Sequence, residues 1–98
     1  MNKQNSDKQE QRVLDSHLGD MRAQIDAIDD QLAKLYLQRM ELVSQVADIK
    51  AKQGIAIMHP GRESEIIDRL TKGLDASQAA QIANLYDYIF ELSRKSQS

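Results

Sequence analysis

From Met21 to Lys52 the chain reads MRAQIDAIDDQLAKLYLQRMELVSQVADIKAK, and Ile25, Ile28, Leu32, Leu35, Leu42, Val46 and Ile49 fall in it on alternating three- and four-residue steps. Those are the a and d positions of a heptad pattern held for about four heptads, an apolar stripe along one side of a single helix. Such a helix is roughly 45 Å long at about 1.5 Å per residue. In a chain of 98 residues the remainder is too short to cover it, so the stripe is expected to pack on a second copy. One a position breaks the pattern: between Leu35 and Leu42 stands Arg39. A permanent cation in an aliphatic seam is expected to need an anionic partner.

Composition narrows the function classes. The formal charge of -2 lacks the basic excess of a general nucleic-acid or anionic-membrane binder, so any anion recognition is local. There is no cysteine for a disulfide framework or a thiolate, and His17 and His59 lack the company of a metal-ligand set. No apolar run approaches the ~20 residues of a membrane span, and the N-terminus has no secretory apolar region. The expectation is a soluble cytoplasmic protein with no metal and no cofactor.

Residues 1–17 are rich in Gln, Lys, Asn, Asp and Ser and read as a flexible lead-in to a domain at 18–98. Ser16 or Asp20 is expected to cap the long helix, and Gly54 to end it. The stretch GIAIMHPG is a loop. A short second helix is expected to begin at Pro60 to Arg62, to bury Ile66, Ile67 and Leu70, and to stop at Gly73. A third, of medium length, starts at a cap of Asp75 or Ser77 and buries Ala79, Ile82, Leu85, Tyr86, Ile89 and Phe90. Four-residue steps from Ile89 reach Ser93 and then Gln97, so its inward face turns polar in the last turns. The class is all-α, three helices per chain in an intertwined helical homodimer.

The cations of the long helix have a geometry of their own. Lys50 follows Arg39 by close to three whole turns, so the two project from nearly the same side about 16 Å apart and can converge on one small molecule. Arg22 lies about 26 Å from Arg39 and about 42 Å from Lys50 along the same axis, too far to join them. In an antiparallel dimer the Arg22 end of one copy comes beside the Lys50 half of the other, and a shared site follows. Taken singly, Arg22, Arg62 and Lys50 read as surface charges, Glu63 as a first-turn carboxylate, and Ser93 and Gln97 as a polar terminus.

Taken together, the ordered set Arg22, Arg39, Lys50, Arg62-Glu63, Ser93 and Gln97 resembles the all-helical class of chorismate mutases, over about residues 20–98. The likeness is to a small intertwined dimeric domain found alone or fused to prephenate-processing enzymes. It implies the Claisen rearrangement of chorismate to prephenate in phenylalanine and tyrosine biosynthesis, a unimolecular step that needs no nucleophile, metal or general base. It further implies that Arg39, and Arg22 from the partner chain, bind the substrate carboxylates with help from Ser93. Lys50 and Gln97 would donate to the ether oxygen, Glu63 would accept from the ring hydroxyl, and Arg62 would stand beside it. Two departures are visible. His59 occupies a substrate-loop position that is often Asp in this class, and the expected catalytic amide of Gln97 is followed by a single residue.

Two other functions fit parts of the same pattern. An isochorismate-pyruvate lyase shares the fold and the cations but tends to carry an apolar residue where Glu63 stands. A non-catalytic helical dimerisation or regulatory module would need none of the charged set.

Overall fold

A computed structural model of the chain describes residues 3–55 and 60–97, which form three helices: α1 (Lys3–Gln53), α2 (Pro60–Thr71) and α3 (Ala76–Gln97). Among the described residues there is no strand, as an all-α class requires. α1 begins at Lys3, so Ser16 and Asp20, the expected caps, lie inside the helix and cap nothing. The polar composition that suggested a lead-in also consists largely of good helix formers, with neither Gly nor Pro before Gly19.

The helix ends follow local chemistry. At the end of α1 the Ile55 N–H donates to the Lys50 carbonyl at 2.9 Å and the Gly54 N–H to Ala51 at 3.3 Å. That is the paired closure of a Schellman motif, and its left-handed residue is Gly54, with φ of 70°. Gly73, with φ of 80°, follows α2 in the same left-handed region. Asp75 is the cap of α3: its carboxylate accepts from the Gln78 N–H at 2.8 Å, while the Gln78 side chain accepts from the Asp75 N–H at 3.4 Å. Two otherwise unpaired helix-terminal donors are thereby satisfied reciprocally.

The chain divides into two compact units, residues up to Gln38 and residues from Arg39 on. The first is α1 alone. Its stripe residues Ile25, Ile28, Leu32 and Leu35 are each more than half exposed. The second holds the last turns of α1 with α2 and α3, and α2 packs on α3. Ile66 and Phe90 are its buried apolar residues, with Ile67, Leu70, Ile82, Tyr86 and Ile89 half-buried around them. Leu85, expected on the buried face of α3, is instead half exposed. Full burial contributes roughly 1.5–3 kcal/mol for each such Ile or Phe, and two of them are small against about 1–2 kcal/mol of backbone entropy for every residue ordered. Much of this chain's apolar surface is still in water.

Candidate functional site

The second unit carries a groove of about 260 Å³, lined by Arg39, Leu42, Val43, Val46 and Lys50 of α1 and by Arg62 and Ile66 of α2. The helical step from 39 through 42, 43, 46 and 50 keeps these residues on one side of α1, so Arg39 and Lys50 face the same hollow. Arg62 adds a third positive charge from the first turn of α2, where it also makes a long, exposed contact of 3.7 Å to Glu65. Leu42 and Val46, expected on the seam with a second copy, form part of this wall. Apolar lining with a few convergent charges is the usual make-up of a small-molecule site, and here the charges suit an anion.

Arg39 is the best-defined of these cations. Its Nη1 donates to Ser93 Oγ at 3.2 Å, and its guanidinium carbon lies 5.8 Å from the centre of the Tyr86 ring and 5.6 Å from that of Phe90. The two rings meet edge to face at 5.8 Å. Among the described residues no carboxylate pairs with Arg39, so the anionic partner expected from the sequence is replaced by ring faces and a neutral hydroxyl. Both attract a cation without neutralising it. Ser93 is buried, and its oxygen stands 2.8 Å from the Ile89 carbonyl and 3.6 Å from Met40 Sδ. A hydroxyl has one proton, and the short contact to the carbonyl is its better acceptor. That leaves the Ser93 lone pairs for Arg39.

Glu63 sits in the first turn of α2, where free backbone N–H groups favour a carboxylate. Its two oxygens take hydrogen bonds of 2.8 and 2.7 Å from a single nitrogen, Arg94 Nη1 of α3. The sequence pattern does not single out Arg94; the signals that point to it are its place beside Ser93 and the cost of holding a half-buried carboxylate without a cation. Tyr86 and Phe90 were foreseen as apolar-face residues and not as a platform for Arg39.

The structure thus brings Arg39, Lys50 and Arg62 to one groove, joins Ser93 to Arg39, and ties Glu63 to Arg94. Arg22 is an exposed residue of α1 in the first unit. His59 and the side chain of Gln97 lie outside the described residues. A larger hollow of about 460 Å³ lies on α1 against Gln9, Glu10, Val13 and Leu14, and offers no cation. Among the described residues no three His, Cys, Asp or Glu side chains gather as metal ligands, and no helix is long and apolar enough to cross a membrane.

The "T-protein" of Haemophilus influenzae is 37% identical over 70 residues, 71% of this chain and 18% of that protein. The "Chorismate mutase" of Methanocaldococcus jannaschii is 44% identical over 55 residues, 56% of each chain. The "4-amino-4-deoxychorismate mutase" of Streptomyces venezuelae is 36% identical over 74 residues, 70% of this chain and 69% of that one. The chain therefore spans under a fifth of the first of these relatives and just over half of the second. No solved structure matches it. The family model described as "Chorismate mutase type II" matches residues 21–98, the stretch that contains every residue of the groove, and the chain belongs to that family.

Proposed function

We propose that this chain catalyses the rearrangement of chorismate to prephenate. The observation that carries the reading is the groove itself, in which Arg39, Lys50 and Arg62 converge on an aliphatic wall. Chorismate is a dianion, and three cations facing one hollow supply the charge to hold it. In the reaction the ether C–O bond breaks as a C–C bond forms, with no proton gained or lost. The protein has only to fold the substrate into a compact chair-like conformer and to aim donors at charge developing on the ether oxygen. A rate acceleration of ~10⁶ needs roughly 8 kcal/mol of differential stabilisation, within reach of several charged donors in a partly dry site.

The residue roles follow from that chemistry and from the family resemblance. Arg39, held in place by Ser93 and the Tyr86 and Phe90 rings, binds one carboxylate. Arg22 of a second copy binds the other. Lys50 and Gln97 donate to the ether oxygen, Glu63 accepts from the ring hydroxyl, Arg62 orders that end of the site, and His59 contributes to substrate binding. The homodimer this requires is supported by the exposed stripe at Ile25, Ile28, Leu32 and Leu35, a face that a second copy of the same helix would cover. On this reading residues 18–98 are the mutase domain, acting in the cytoplasm in phenylalanine and tyrosine biosynthesis, with residues 1–17 leading into it.

The Streptomyces relative supports a second substrate for the same site. By its name, 4-amino-4-deoxychorismate carries a ring amine in place of the ring hydroxyl. One experiment separates the readings: purified protein is mixed with chorismate and the loss of its absorbance followed, with the amino analogue and isochorismate in parallel. Prephenate from chorismate is the expected result. Pyruvate released from isochorismate with chorismate untouched would overturn it.

A further inference from the structure

The pairing of Glu63 with Arg94 has a consequence for which ring substituent the site accepts. We propose that Arg94 is a specificity-determining positioning residue: its pairing with Glu63 makes the site select a hydroxyl, and reject an ammonium, at the ring position Glu63 faces. The proposal rests on the reading of Glu63 given above as the acceptor for that ring substituent.

Arg94 Nη1 lies 2.8 Å from one oxygen of Glu63 and 2.7 Å from the other, and neither side chain is fully exposed, at 39% and 29%. An ionised carboxylate offers about four lone-pair positions, so one bridging N–H leaves acceptor capacity on both oxygens. A substrate O–H can still donate to Glu63, and as a neutral donor it is indifferent to the Arg94 charge. An ammonium is not. Within hydrogen-bond reach of Glu63 it would also lie within a few ångströms of the guanidinium, and the repulsion offsets much of the attraction from the carboxylate. Arg39, Lys50 and Arg62 line the groove and add to the positive charge that a cationic ring substituent would meet. The same bond fixes the Glu63 side chain between α2 and α3, which aligns the acceptor before substrate arrives.

The test compares kcat/KM for chorismate and for 4-amino-4-deoxychorismate in the full chain and in Arg94→Gln, Arg94→Met and Arg94→Lys. The unaltered protein should prefer chorismate. Arg94→Gln should lose about tenfold with chorismate while its amine-to-hydroxyl ratio rises about tenfold or more, because Glu63 regains its net charge. Arg94→Met repeats the measurement with a side chain that keeps the apolar stem and the helix propensity. Arg94→Lys restores the charge and should return the ratio to within about threefold of the unaltered value even if the overall rate stays lower. A merely structural Arg94 predicts equal losses with both substrates and an unchanged ratio. That result overturns the proposal and leaves the mutase reading standing. An unaltered chain inert toward both substrates overturns the mutase reading, and this proposal with it.

Discussion

One heptad pattern runs through α1 and is put to two uses. Up to Leu35 its residues are aliphatic, more than half exposed, and uncovered by the other described residues of their unit; Leu42 and Ile49 further on are exposed to a similar degree. From Arg39 on, the same periodicity delivers Arg39, Leu42 and Val46 to a charged groove. The change falls at the one a position that holds a cation. A regular repeat therefore fixes which residues share a face, while the residues opposite decide whether that face is an interface or a site. The first region has its chemistry in surface area and the second in charge placement, and substitutions in the two should fail in different ways.

The largest effect should come from Arg39→Leu. Removing a donor aimed at a substrate carboxylate in a partly dry site typically costs on the order of 10²–10³ in rate, and loss of the main carboxylate clamp should sit at or beyond the upper end. Stability should hold or rise, because Leu suits the seam and Ser93 keeps its bond to the Ile89 carbonyl. Steady-state kinetics and a thermal melt on the same preparation decide it; a clear loss of melting temperature with activity retained would reverse the assignment.

Next in size is complementation across the proposed dimer. Arg22→Ala in the first region and Lys50→Ala in the second should each leave the protein nearly inactive. Unfolded together and refolded as a mixture, they should form heterodimers as about half of all dimers by random pairing. Each heterodimer then has one pocket with both cations and one with neither, so activity should recover to roughly a quarter of normal per chain. A mixture as inactive as its parents, with subunit exchange confirmed by mass, would place both cations in one chain's site.

A smaller, purely structural effect should follow Leu32→Lys. Leu32 is exposed among the described residues of a single chain, so a monomer would tolerate the change within about 0.5 kcal/mol. In a dimer the buried side chain is lost and a charge is placed in the seam, for roughly 2–4 kcal/mol of destabilisation that depends on protein concentration. Sedimentation equilibrium together with melts at two concentrations tells these apart.

The smallest effects contrast two glycines. Gly19 lies inside α1 with open space where a Cβ would go, so Gly19→Ala should stabilise by about 0.5–1 kcal/mol if the helix continues through it. Gly54 also has open space, but its φ is 70°, and Gly54→Ala should destabilise by about 1 kcal/mol. Chemical denaturation measures both. No change at Gly19 would mean that the helix contributes nothing to stability at that point.

Much of this chain was settled by its sequence. Three helices and their stops at Gly54 and Gly73, a cap at Asp75 or Ser77, of which the structure uses Asp75, and Arg39 with Lys50 on one side of α1 all follow from interactions within a few residues along the chain. α1 starts well before the expected caps at Ser16 and Asp20 because polar composition weakens the expectation of packing without weakening helix propensity. Only the tertiary structure decided what lies opposite each face. Periodicity could place Leu42 and Val46 on a stripe but not turn them toward α2. It could not set Arg39 over Tyr86 and Phe90, nor bring Arg94 to Glu63 from another helix. Those pairings depend on how the last turns of α1, α2 and α3 are placed against one another, and that placement is fixed by side-chain packing between segments far apart in sequence, which no local pattern encodes.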